Sequence, residues 1–309
     1  MPNNSAQLTV SASPHIRSHV TTQKIMASVL IALIPAAVAS VILFGWRSLL
    51  LIAVTSAAAV LSETLYNMVV KRANTAFDLS AVVTGVLLAM NLPVTLPLWM
   101  AIIGAFVSIV IVKMLFGGLG QNFANPAIVG RIVLMVSFSS AMTNWVRPLQ
   151  WMYGEANTGA TPLAGADVSY LDLFLGIKGG CLGEVSVVAI LIGGLLLIAG
   201  RIITPTIPLV YIGSTFVFVW MFGGDPLAAI LSGGLFLGAF FMATDYTTSP
   251  ATEKGKIIFA LGLGLITSVI RMFGTYPEGV SFAILLMNIV VPYIDKRTRT
   301  KPFGGVKRR

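Results

Sequence analysis

Apolar residues fill this chain in long runs separated by short polar breaks, without the alternation of a half-buried strand. Crossing a bilayer as a helix takes about 20 such residues, fewer where the helix is broken. Ten runs meet that condition: 25–44, 48–70, 77–92, 96–116, 124–141, 185–203, 206–222, 226–243, 256–273 and 279–295. Two of them are short and run into helix breakers. Residues 77–92 lead into Asn91-Leu92-Pro93, and 226–243 lead into Asp245-Tyr246-Thr247-Thr248-Ser249-Pro250. The pattern predicts an all-α integral membrane protein of about ten transmembrane helices.

Order-preserving similarities divide the spans into two sets of five. Leu79-Ser80 followed by Gly85 and Met90 resembles Leu231-Ser232 followed by Gly238 and Met242. Lys113-Met114-Leu115-Phe116-Gly117 resembles Arg271-Met272-Phe273-Gly274, and Gly120-Gln121-Asn122-Phe123-Ala124 resembles Gly279-Val280-Ser281-Phe282-Ala283. An odd number of spans per set requires the two repeats to be inverted relative to each other. The organisation expected is a polar tail (1–23), a first five-helix repeat (24–141), a long polar interval (142–184), a second five-helix repeat (185–295) and a basic tail (296–309). The two short spans hold corresponding places, so they are expected to meet near the bilayer midplane.

Composition agrees with a membrane protein. Of 309 residues, 56% are hydrophobic and 10% charged, against about 25% charged in soluble domains. The net charge of +9 is scattered or terminal, which argues against a nucleic-acid partner and for membrane topology. With the N-terminus inside, the inner side receives Arg17, Lys24, Lys71, Arg72, Lys113, Arg201, Lys254, Lys256 and the tail from Lys296. The outer side keeps Arg47, Arg147, Lys178 and Arg271. Both termini are therefore expected in the cytoplasm of a cell (inner or plasma) membrane, with 142–184 outside. The polar first twenty residues hold no cleavable signal peptide. A single cysteine, Cys181, excludes an internal disulfide and any four-cysteine cluster.

Within the polar interval, Gly154-Glu155-Ala156-Asn157-Thr158-Gly159-Ala160-Thr161-Pro162-Leu163 reads as an accessible loop presenting two hydroxyls. No His or Cys stands beside them, so the loop is a poor nucleophilic catalyst and reads better as an attachment point. Thr158-Gly159-Ala160-Thr161 matches a Ser/Thr-Gly-Ala-Thr flavinylation motif. With this motif, Ser13-Pro14-His15, Gly120 to Ala127, Ala243 to Pro250 and Pro292-Tyr293-Ile294-Asp295, the chain resembles the RnfD/NqrB family, and its RnfD branch more closely. One departure is Glu155, where the motif usually has Asp.

The resemblance implies covalent FMN joined through its phosphate to Thr161, with Thr158, Gly159 and Ala160 as the attachment motif, and leaves room for a second, non-covalent flavin. It implies a subunit of an Rnf-type ferredoxin:NAD⁺ oxidoreductase complex that relays electrons and moves Na⁺ or H⁺. Its partners would be other membrane iron–sulfur and flavoprotein subunits, a cytoplasmic NAD-binding subunit, membrane lipid and an extracytoplasmic flavin transferase. The chain by itself has no Cys₄ set and no dinucleotide fingerprint, so it would not be a complete enzyme. An inverted-repeat channel or transporter, urea-channel-like and without a redox role, is the rival reading.

Asn122, Asn125 and Arg131 form the remaining polar group, at or within the fifth span. An arginine inside a span is functional or paired by default. Arg131 is thus either a contact to flavin phosphate or carbonyl oxygen, or packing glue paired with a carbonyl or carboxylate, with Glu63 and Asp78 as possible partners. Asp245, with Thr244 and Thr247, offers hard oxygen ligands to a translocated cation. The alternative is that Asp245 caps a neighbouring helix.

Overall fold

The computed structural model describes residues 20–73, 75–153, 169–184, 186–274 and 278–299. Thr158, Gly159, Ala160 and Thr161, the sequence-predicted attachment motif, lie outside the described residues, as do most of both tails. The regular elements among the described residues are helices. In the first half lie α1 (Thr22–Phe44), α2 (Trp46–Val70), α3 (Ser80–Met90), α4 (Leu98–Phe106) and α5 (Pro126–Ser137). Short helices α6 (Ser139–Met142), α7 (Gln150–Tyr153) and α8 (Tyr170–Leu175) follow. The second half holds α9 (Val187–Ala199), α10 (Thr206–Met221), α11 (Pro226–Leu231), α12 (Leu235–Leu237), α13 (Glu253–Phe273) and α14 (Gly279–Thr298).

Four of these helices, α1, α2, α13 and α14, are long and apolar enough to cross a membrane, and five shorter apolar helices accompany them. The faces of α1 show how they pack. Its inward positions include the small residues Ala32, Ala36 and Ser40, whereas Ile31, Ile34, Val38 and Ile42 point outward and exposed. Both faces are largely apolar; the buried one adds Leu33 and Phe44 to these small residues, which let helices approach closely. The chain is an all-α, multi-pass membrane protein.

Packing partners recur between the halves. In the first, α2 lies against α3 and α4, and α5 against α4; in the second, α10 lies against α11 and α13, and α14 against α13. Across the molecule, α1 packs on α9 and α5 on α14. A π-helical stretch continues α4 over Val107–Met114, and another continues α12 over Gly238–Met242.

Both short spans are broken, each in its own way. Helix α3 stops at Met90, after which residues 91–97 run on without helical structure. On the other side α11 stops at Leu231, and Ser232–Gly234 separate it from the fully buried stretch 235–243. Asp225 starts α11 by accepting from the amides of Leu227 (3.0 Å) and Ala228 (3.2 Å), with Pro226 in the first helical position. The free ends meet: Asn91 Nδ2 lies 3.7 Å from Met242 Sδ.

The polar interval is not uniformly a surface loop. Lys178, Cys181, Leu182 and Glu184 are buried, because this segment turns inward and caps the broken end of α3. The Gly183 amide donates to the Met90 carbonyl (2.7 Å) and the Leu182 amide to that of Leu92 (3.1 Å). Such ends need partners that lipid cannot supply. Gly183 is required by closeness, since a Cβ there would lie 2.6 Å from Met90 Cβ.

Candidate functional site

A pocket enclosing about 770 Å³ of space, part of it open to solvent, lies between the start of α1, the start of α3, the segment 119–127, the end of α9 and the stretch 240–247. Its walls are largely apolar, with Leu87, Phe240 and Phe241 among them, and polar groups converge from several elements. Few convergent polar groups on apolar walls are the usual form of a small-molecule site.

The polar groups are held in place by their own neighbours. Asn125 caps α5, accepting from the amides of Ala127 (3.1 Å) and Ile128 (3.4 Å), and its Nδ2 donates to the Met242 carbonyl (3.3 Å). That contact satisfies the end of the second π-helical stretch. Asn122 accepts from Thr247 Oγ1 (3.3 Å), and Thr247 Oγ1 also lies 3.1 Å from Asp245 Oδ2. Asp245 accepts further from the Thr247 amide (3.4 Å) and Thr248 Oγ1 (3.3 Å). Burial raises its carboxyl above the ordinary carboxylate value, and these donors pull it back. Thr244 Oγ1 donates to the Phe240 carbonyl (2.7 Å) within its own turn.

On the α3 side the pocket reaches Ser80 and Lys113. Lys113 is buried, with Nζ 2.7 Å from Glu63 Oε2 and 2.6 Å from Ser80 Oγ. Glu63 also accepts from Thr75 Oγ1, and Asn67 Nδ2 donates to the same hydroxyl (3.2 Å). Asp78 accepts from the Ser80 amide (2.8 Å) at the start of α3.

The sequence-predicted residues therefore separate. Asn122, Asn125, Thr244 and Asp245 line one pocket, whereas Arg131, six residues further along α5, does not reach it. Arg131 instead donates to Asn91 Oδ1 and Glu278 Oε2, and its Nη2 lies 3.4 Å from Cys181 Sγ. Glu63 and Asp78, the partners considered for it, are taken by Lys113 and Ser80 near the far end of α2. The sequence tally of inner basic residues included Lys113, and that of outer ones Lys178 and Arg271. Lys178 donates to the Leu231 carbonyl and Arg271 to those of Ala229 and Ser232 (3.2 Å), so these cations serve the interior.

Two contributors escaped the sequence reading. One is the Lys113–Glu63 pair, whose members are fifty residues apart. The other is Asn288, a buried amide within the apolar run of α14. With its amide oriented to suit its neighbours, it donates to the carbonyls of Ile284 (3.3 Å) and Thr248 (3.0 Å) and accepts from the Asn125 amide (3.1 Å). A polar residue in the middle of a span was the available signal for it.

The NQR2, RnfD, RnfE family pattern matches residues 9–304. The chain is 47% identical over 314 residues to the D subunit of the Na⁺-translocating ferredoxin:NAD⁺ oxidoreductase complex of Acetobacterium woodii, covering 98% of each. It is 45% identical over 318 residues to the D subunit of the proton-translocating ferredoxin:NAD⁺ oxidoreductase complex of Clostridium ljungdahlii, covering 96% of each. With the D subunit of the ion-translocating oxidoreductase complex of Escherichia coli it shares 36% over 347 residues, covering 96% of this chain and 99% of that one. A pattern match over nearly the whole chain, joined to relatives this similar over their full lengths, means that the chain belongs to the NQR2, RnfD, RnfE family.

Proposed function

We propose that this chain is the membrane flavoprotein subunit of an ion-translocating ferredoxin:NAD⁺ oxidoreductase complex, with FMN joined through its phosphate to Thr161. The observation that carries this reading is the Thr158-Gly159-Ala160-Thr161 motif in a chain of this family. The residues flanking it also support it. On one side Trp151 Nε1 donates to the Ile42 carbonyl (3.1 Å), and on the other Tyr170 donates to Asp225 Oδ2 (2.6 Å). Both moorings lie at turns between consecutive helices, α1 to α2 and α10 to α11, which share the outer side in the expected topology. Setting aside Lys113, Lys178 and Arg271, which bond inward, removes one inner and two outer charges, so the basic excess still favours cytoplasmic termini.

The pocket suits a second, non-covalent flavin. A flavin ring needs apolar faces, donors for its ring carbonyls and an acceptor for its ring N–H. Leu87, Phe240 and Phe241 offer the first, Lys113 and Asn122 the second, and Asp245 the third. When bound, flavin supplies the redox chemistry, and the protein supplies position and electrostatics. Lys113 adds fixed positive charge beside the pocket, balanced by Glu63 behind it. Forming the phosphoester on a weakly nucleophilic threonine requires an external transferase, acting on the outer side. The two repeats, 24–141 and 185–295, are the two halves of the membrane body, and the interval 142–184 joins them.

The test is flavin content. The denatured subunit should fluoresce on a gel, and mild denaturation should release a further flavin that is not covalently bound. A chain without covalent flavin, expressed with its transferase, would overturn the reading.

A further inference from the structure

At the end of the molecule expected to face the cytoplasm, α13 begins beside the point where α14 stops, and the two ends are tied together. The Ala251 amide donates to Asp295 Oδ1 (3.1 Å), and Thr252 Oγ1 lies 2.8 Å from Thr298 Oγ1. Gathered there are Lys254 in the first turn of α13, Lys296 and Arg297 in the last turn of α14, and Arg299 just beyond it, all exposed. The carboxylates at hand are engaged elsewhere. Glu253 accepts from Lys256 (2.7 Å) and from Thr206 Oγ1 (2.8 Å), and Asp295 accepts from the Ala251 amide. None of the four exposed cations forms an ion pair among the described residues. The dipole of α14 favours cations at its C-terminal end, but Lys254 sits where the dipole of α13 repels positive charge. An anion from outside the chain relieves that repulsion.

The faces leading to these cations identify the anion. On α14, Leu286, Ile289, Val290 and Tyr293 are exposed and recur every three or four residues, so they share one face. Lys296 and Arg297 continue that face by one turn, directly beyond an apolar stripe that ends in an aromatic ring. On α13, Ile257, Ile258, Leu261 and Leu265 form an exposed apolar face, and Lys254 stands at its head. Helices that meet lipid place tyrosine, and then lysine or arginine, at the level of the headgroups. A soluble anion needs no apolar stripe beneath its site. The sequence continues with Lys301, Lys307, Arg308 and Arg309, and basic clusters just beyond a spanning helix attract anionic lipid.

We propose that the joined ends of α13 and α14 form a binding site for an anionic glycerophospholipid. Lys254, Lys296 and Arg297 hold its phosphate, and its chains lie along the exposed stripe of α14. Membrane orientation alone asks only that cations stay on the inner side, whereas here they converge on one place from two helices. The surface is separate from the flavin motif and the pocket, and it stands whether or not the chain carries flavin.

The experiment uses the whole complex with benzoylphenylalanine in place of Tyr293, reconstituted into vesicles of equal parts phosphatidylglycerol and phosphatidylcholine. Illumination links the nearest molecule to this chain, and the mass added to the chain identifies it. Phosphatidylglycerol adducts are expected to exceed phosphatidylcholine adducts about fivefold or more, because each cation near an anionic surface contributes about that factor. Lys254→Gln, Lys296→Gln and Arg297→Gln together should bring the two adducts to parity. Lys296→Arg with Arg297→Lys keeps the charge and should keep the preference, which separates loss of charge from loss of fold. Should the triple variant not assemble, Lys296→Gln alone should lower the preference. Inorganic phosphate added at constant ionic strength should leave the preference intact; its loss would make this a site for a free anion and overturn the lipid reading. Equal adducts in the parent, a preference unchanged by the glutamine substitutions, or cross-links to another subunit instead of lipid would overturn it as well.

Discussion

Lys113 Nζ lies 2.6 Å from Ser80 Oγ, and its counterpart in the second half, Arg271, donates to the carbonyl of Ser232 (3.2 Å). Both pairs join the cation of a fourth span to the serine of a short third one. In the first half Glu63 balances the charge; in the second, backbone carbonyls of a broken helix do so. The same position in the repeat thus holds the start of α3 in one half and the broken end of α11 in the other.

Removing one member of a buried ion pair leaves the other uncompensated, at about 3–5 kcal/mol. Lys113→Ala is expected to destabilise the protein by that order, read as a lower midpoint in thermal unfolding of the detergent-solubilised complex. Lys113→Met combined with Glu63→Leu should recover most of the loss. A double variant no better than the single one would mean that packing, not charge, is responsible.

Thr161→Ala should abolish gel fluorescence while the chain remains in the membrane, and Thr158→Ala should at most weaken it. The hydroxyl that ends the motif, just before Pro162, is the one expected to carry phosphate. A fluorescent Thr161→Ala band would move the attachment elsewhere.

Asp245→Asn is expected to leave covalent flavin and electron transfer measurable but to lower the ions moved per electron. Because burial raises this carboxyl, it gains its charge at higher pH than an exposed aspartate does. The variant should therefore differ most from the parent on the alkaline side, where the parent is ionised. Equal coupling at every pH would leave Asp245 with only its local role toward Thr247 and Thr248.

Gly183→Ala places a methyl 2.6 Å from Met90 Cβ, and overpacking of this kind costs about 1–3 kcal/mol. The inward segment should loosen, so that Cys181, fully buried in the parent, becomes reactive toward a small thiol reagent. An inert Cys181 in this variant would show that the segment absorbs the methyl without moving.

In a Cys181→Ala background, cysteines at the exposed positions Thr143, Asn144, Arg147, Tyr170, Leu171 or Leu175 should react with an impermeant thiol reagent in intact cells. Cysteines at Lys178 or Leu182 should not, being buried. Labelling at the first set only after permeabilisation would reverse the expected topology.

The spans themselves were legible in the amino-acid sequence. Hydropathy and breakers located α2 and α10 to within about two residues, and an odd number of spans per repeat follows from counting. Local chemistry was legible too: Asn122, Asn125, Thr244 and Asp245 sit within short polar motifs that fold into one wall. What sequence could not supply was partnership across long separations. Arg131 had several carboxylates in reach of argument, and only the folded chain brings Glu278 to it from 147 residues away. The inward turn of Lys178–Glu184 was equally hidden, because a polar stretch reads as surface unless something inside needs its amides. The broken end of α3 creates that need, and a helix end exists as an unsatisfied group only once the neighbouring helices have excluded water from it.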